Sequence, residues 1–132
     1  MTKILSKAEI LGSHDMRIKT VAVPEWGGSV RLRSLTGTER DAFEATLVRV
    51  VNGERIPDLE NLRAKLLAAT IVDQDDRQIF CAEDIDALGR KSAVALDRVF
   101  AVAQRLNGMQ ADAVEESVKN SVPGPSDAST SD

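Results

Sequence analysis

The stretch Val21-Ala22-Val23-Pro24-Glu25-Trp26-Gly27-Gly28-Ser29-Val30-Arg31-Leu32-Arg33 decides how this chain folds. Residues 17–23 and 29–33 read as two strands. Val21 and Val23 share one side of the first, and Ser29 to Arg33 alternates polar and apolar, the pattern of a half-buried strand. Pro24 ends the first strand because it has no N–H to give the ladder. The glycines at 27 and 28 supply the positive φ that a tight reversal needs. The prediction is an antiparallel β-hairpin with an apolar face. A hairpin alone is marginally stable in water, so the face formed by Val21, Val23, Val30 and Leu32 must be covered.

Helical patterns supply the cover. A short helix is predicted over 7–11, stopped by Gly12. Thr36-Gly37-Thr38-Glu39 has capping-box spacing. The helix it opens is read as carrying Phe43, Leu47, Val50 and Val51 on one face, with Asn52-Gly53 as its stop. Pro57-Asp58 offers the next start, and Leu59, Leu62, Leu66 and Ala69 line the helix that follows. Ile71-Val72 and Gln78-Ile79-Phe80 flank Asp73-Gln74-Asp75-Asp76-Arg77, which reads as a small hairpin or a solvated turn. A short helix over 82–88 ends at Gly89. A longer one over 92–107 carries Leu96, Val99, Phe100, Ala103 and Leu106 and stops at Gly108. A weaker helical stretch follows over 110–119. The expected fold is a small α+β domain, mostly helical, with an N-terminal β-hairpin packed on a cluster of helices. The expected division is a domain over 1–110 and a weakly helical, then disordered, acidic tail over 111–132.

Composition narrows the function. The 132 residues carry 17 Lys and Arg against 21 Asp and Glu, a net charge of −4. Residues 1–108 balance to zero, so the whole excess lies in the tail, where only Lys119 faces Asp112, Glu115, Glu116, Asp127 and Asp132. After Val122 the tail has almost nothing apolar to bury against the entropy of ordering. The balance argues against a nucleic-acid binder. With no run of about 18 apolar residues, nothing spans a membrane. The first seven residues lack the apolar core of a secretory signal, so the cytoplasm is the expected compartment.

The residues that carry chemistry are few. With one His and one Cys, the chain cannot build a zinc cage, which needs about four N or S ligands. His14, in Gly12-Ser13-His14-Asp15, reads as an ordinary surface histidine, because a triad needs convergence in space rather than adjacency in sequence. Cys81, after Ile79-Phe80, reads as a small buried hydrophobe. Counted as a calcium loop from Asp73, the acidic cluster puts Arg77 at position five, Gln78 where glycine is needed and Asp84 at the end, so a solvated turn is the better reading. Arg31 and Arg33, with Arg17 and Lys19 opposite, suggest a basic stripe, but a solvated strand face accounts for them. No phosphate loop is present. No catalytic residue, metal or cofactor is expected. Trp26, at a hairpin tip beside two glycines, is either a contact anchor or a side chain folded back over the core.

Three segments together resemble a known family. The first is the N-terminal helix, a variable link and the hairpin, running into Leu35-Thr36-Gly37-Thr38-Glu39-Arg40-Asp41-Ala42-Phe43-Glu44. The second is Asn61-Leu62-Arg63-Ala64-Lys65-Leu66-Leu67 through Ile71-Val72-Asp73 to Ile79-Phe80. The third is Ile85-Asp86-Ala87-Leu88-Gly89-Arg90-Lys91-Ser92, then Leu96-Asp97-Arg98-Val99-Phe100 and Arg105-Leu106-Asn107-Gly108-Met109. In this order they resemble the tail assembly chaperones of long-tailed bacteriophages and prophages, over residues 3–120. The resemblance implies a non-enzymatic protein of the bacterial host cytoplasm. It would bind the tape-measure protein and help recruit the major tail (tube) protein during tail morphogenesis, and be absent from the mature virion. It also implies a programmed frameshift that yields a longer form of the same protein, a further partner. The oligomeric state stays open, a homo-oligomer included. The alternative is a structural tail-completion or head–tail joining subunit retained in the virion. Amphipathic helices and an apolar hairpin suit groove or strand-addition contacts with exposed apolar helices of a client. Trp26, Leu32 and Phe43 are the candidate partner-binding residues, Phe43 also fitting a core position by its spacing.

Overall fold

In the computed structural model, which describes residues 2–109, strand β1 (Ile18–Val23) pairs antiparallel with β2 (Gly28–Arg33). Lys19 lies opposite Leu32, and Val21 opposite Val30. Partners directly across a ladder share a face, so Val21, Val23, Val30 and Leu32 form one inward surface, with Val23 and Leu32 fully buried. The tip is a single 3₁₀ turn, Pro24–Trp26, closed by Gly27 at φ 77° donating its N–H to the Pro24 carbonyl at 3.0 Å. Gly27 alone of the two glycines takes the left-handed conformation; Gly28 is already the first residue of β2.

A third strand completes the sheet. Strand β5 (Ile71–Val72) pairs antiparallel with β2, Leu32 opposite Ile71, so the order is β1-β2-β5 and β2 is central. The sequence leaves this segment as a small hairpin or turn. The structure shows both: Val72 bridges to Gln78 while Ile71 and Val72 join the main sheet. The acidic turn between them is held by Asp73, whose carboxylate accepts the N–H groups of Asp75 and Arg77 at 2.8 and 3.0 Å.

Helices α3 (Leu62–Thr70) and α5 (Ala93–Leu106) pack on each other, and α5 lies against β1. Their Leu66, Leu67, Val99 and Ala103 meet Val23, Leu32 and Ile71 in the core. Helix α5 opens with Ser92, whose hydroxyl accepts the Ala95 N–H, and closes at Gly108, φ 69°. Between these helices, a 3₁₀ turn (Ala82–Asp84) runs into α4 (Ile85–Gly89), where one short helix is expected.

The second helix differs from its prediction. The Thr36–Glu39 capping box forms in both directions, at 2.9 and 3.1 Å, and starts α2 (Gly37–Ala45). That helix does not continue to Asn52. Strand β3 (Val48–Val51) follows and pairs with β4 (Glu54–Pro57), turning at Asn52 (φ 52°) and Gly53 (φ 81°). Two consecutive left-handed residues between strands make the type I′ reversal that Asn-Gly favours, and Val48, Val50 and Val51 are β-branched side chains that prefer strands. Val50 and Val51 are therefore exposed rather than in the core, while Leu47, in the turn that follows α2, is fully buried. Leu59 also leaves its expected helix face: α3 starts only after Asn61, itself left-handed at φ 56°, and Leu59 is exposed. The short helix α1 (Lys7–Leu11) lies where expected, with a full Ser6–Glu9 capping box and no buried residue. The α+β domain with its N-terminal hairpin is thus present. The weak helix expected over 110–119 and the polar tail beyond it lie outside the described residues.

Candidate protein-docking groove

The hairpin tip builds the first wall of a groove. The 3₁₀ turn swings Trp26 back over the domain, where its ring is half-buried against the core. Glu25, its neighbour, is clamped to α5: the two terminal guanidinium nitrogens of Arg98, Nη1 and Nη2, donate to the two carboxylate oxygens, Nη2 at 2.9 Å. That fork holds the Glu25 carboxyl below the usual carboxylate range and the Arg98 guanidinium above its own. Such paired contacts fix direction as well as distance, so the tip cannot swivel without breaking both.

Opposite Trp26 stand Phe80, Ala87 and Leu88, with Asp84 and Lys91 on the rim, enclosing about 230 Å³. The segment that carries them is ordered locally. The Asp84 carboxylate accepts from the Cys81 N–H at 2.9 Å and from its thiol at 3.3 Å, and the Asp84 N–H donates to the Cys81 carbonyl at 3.0 Å. These bonds, the backbone one first, hold the Asp84 carboxyl below its usual range. Cys81 is exposed, not buried as its apolar neighbours suggest, because it heads this turn and offers its N–H and thiol to Asp84.

Phe80 also lines a second apolar hollow, of about 290 Å³. There Phe43, Ala68, Ala69, Ala82 and Ile85 provide the floor and walls, with Glu39 and Lys65 at the edge. Phe80 is thus common to both hollows. A surface made of small alanines between larger apolar walls accepts protruding aliphatic or aromatic side chains, the anchors of an amphipathic helix.

The three residues singled out in the sequence do not share one fate. Trp26 faces the groove. Leu32 is 0% exposed and Phe43 4% exposed; both belong to the core, and Phe43 also lines the second hollow. Sequence reasoning missed Phe80, Leu88 and Lys91. The Val72–Gln78 bridge that sets the position of Phe80 spans an acidic turn, and no local pattern announces the pairing of Trp26 with residues more than fifty positions away.

The other polar candidates are committed to structure. Arg31 binds Asp76 through Nε at 2.8 Å, and Arg33 binds Glu39 at 2.9 Å. Thr20 and Ile18, not Lys19 and Arg17, lie across from these arginines, so no basic stripe forms. His14 is exposed in the segment between α1 and β1. Among the described residues no three His, Cys, Asp or Glu side chains gather to hold a metal ion. None of the described helices is long and apolar enough to cross a membrane.

The family model for phage tail assembly chaperones matches residues 7–119. The chain belongs to the phage tail assembly chaperone family. Its role is therefore in tail assembly, with protein partners, and the family's role is non-enzymatic. The fold agrees: the structure of the bacteriophage HK97 tail assembly chaperone is similar at a TM-score of 0.52 and 20% identity, over 78% of this chain and 94% of that one. A comparison with curated protein sequences finds no match.

Proposed function

We propose that this tail assembly chaperone binds the tape-measure protein of its phage in the infected bacterial cytoplasm, and uses the groove between Trp26 and Phe80 to do so. The observation that carries this reading is the pair of apolar hollows sharing Phe80, exposed on a domain whose family acts on proteins in tail assembly. A tape-measure protein not yet enclosed by its tube presents apolar helical faces. Covering them keeps the client soluble while major tail protein subunits are recruited, and the chaperone then leaves before the virion is complete. A longer frameshifted form would share this domain and add a second contact.

Co-expression with the tape-measure protein of the same genome, followed by pull-down and size exclusion, tests the reading. A soluble complex is expected where the tape-measure protein alone precipitates. A client left insoluble and unbound, together with this chain in purified particles by mass spectrometry, favours a structural tail subunit instead.

A further inference from the structure

Asn61 departs from local expectation twice. It is left-handed at φ 56°, and its side chain makes no capping bond to α3, the helix it opens. An asparagine at that position ordinarily accepts a backbone N–H of the first turn. Here the side chain crosses to α4 instead. Its Nδ2 donates to Asp86 Oδ1 at 2.9 Å, and its Oδ1 lies so close to Gly89 that a Cβ there would overlap it. Gly89 has no positive φ, so its own backbone does not require glycine. The close approach of Asn61 does. The same Cβ would also stand 3.7 Å from the Ala64 Cβ of α3.

Asp86 and Gly89 are three positions apart and share one face of α4. Ala87 and Leu88, between them in sequence, line the hollow opposite Trp26. Helix α4 therefore joins the Asn61 contact to the groove wall. Five residues of helix do not hold in water by themselves, because nucleation costs more than one turn of hydrogen bonds returns. Asp84, where α4 begins, gives it no side-chain cap. Where α4 seats on α3 thus sets where Ala87 and Leu88 stand relative to Trp26.

We propose, resting on the groove as the client contact, that Asn61 is its positioning residue. Gripped between Asp86 and Gly89, the Asn61 side chain is the spacer that fixes the distance of α4 from α3, and with it the gap that a client side chain enters. Alanine favours helix more than glycine does, so Gly89→Ala suits α4 by itself. In the folded domain it either turns the Asn61 amide out of its bond with Asp86 or displaces α4.

Trp26 reports the gap directly, because the chain has one tryptophan and no tyrosine. Acrylamide quenching of its emission is measured on the full chain, without client, for wild type, Gly89→Ala, Asn61→Gly and the double variant. Asn61→Gly suits the left-handed backbone and removes only the side chain. Gly89→Ala is expected to change the quenching constant at least twofold when Asn61 is present, and to leave it unchanged in the Asn61→Gly background. No change in either background, or the same change in both, overturns the proposal. If Gly89→Ala loses its cooperative melt, the double variant is expected to regain it, and a double variant that stays unfolded overturns the proposal too. Tape-measure capture by the same four proteins is expected to weaken several-fold in Gly89→Ala alone. A Trp26 response with unchanged capture keeps Asn61 as the spacer and overturns the groove as the client contact.

Discussion

The side-chain oxygen of Asn107 accepts the backbone N–H of Leu35 at 2.6 Å, across 72 positions of sequence. Its amide nitrogen donates to the Ala103 carbonyl at 2.8 Å, and its own carbonyl accepts from Arg40 at 3.2 Å. One residue therefore ties the end of α5 to the link between β2 and α2, a join that no local pattern prescribes. Asn107→Ala keeps the Arg40 contact, which uses the backbone, but leaves the part-buried Leu35 N–H without its partner. Urea denaturation should show a loss of about 1–3 kcal/mol, the cost of an unsatisfied buried donor.

The β3–β4 hairpin rests on backbone conformation rather than packing. A Cβ on Gly53 would touch nothing within 4 Å, but the residue sits at φ 81°. Gly53→Ala should therefore cost about 1–2 kcal/mol through the left-handed penalty alone. Amide exchange should show the loss confined to residues 48–57, with α3 and α5 unaffected, because Val50 and Val51 add nothing to the core.

These two sites mark what was legible in the sequence. The β1–β2 hairpin, the Thr36 capping box, α1 and α5 were readable because local chemistry and periodicity agree there. Residues 43–51 were not. Phe43 and Leu47 are both buried, one in α2 and one in the turn after it, and Val50 and Val51 extend their period, so helix spacing and β-branching point to different structures. Asn52-Gly53 can serve as a helix stop or as a hairpin turn, and only the pairing of Val48 with Pro57 decides between them. Trp26 was legible as a candidate, but the groove opposite it was not, because its other wall arrives through tertiary packing.

Glu39 links stability to pH. Burial opposes its ionisation, but the Thr36 N–H and the Arg33 guanidinium outweigh this and hold its carboxyl below the usual glutamate range. A carboxyl depressed in the folded state stabilises above its unfolded pKa, and that contribution is lost as pH falls through the folded value. Stability should thus decline as the solution is acidified from about pH 5. Glu39→Gln should flatten that part of the profile, measured as the urea midpoint against pH, and should lower stability at neutral pH.

Leu32 and Trp26 share a hairpin but should fail in different ways. Leu32 is wholly enclosed between the sheet and the helices, so Leu32→Ala should cost about 2–5 kcal/mol from lost burial and the cavity left behind. Any loss of client binding in that variant should follow its unfolded fraction. Trp26 is only half-buried, and Glu25–Arg98 holds the tip without it. Trp26→Ala should leave the circular dichroism spectrum and the cooperative melt in place while weakening tape-measure capture at least tenfold, as removal of an aromatic anchor does. Arg98→Ala should give an intermediate loss by freeing the tip. A Trp26→Ala protein that binds the client as tightly as wild type would remove the groove from the proposed contact and leave the second hollow, beyond Phe80, as the surface to map.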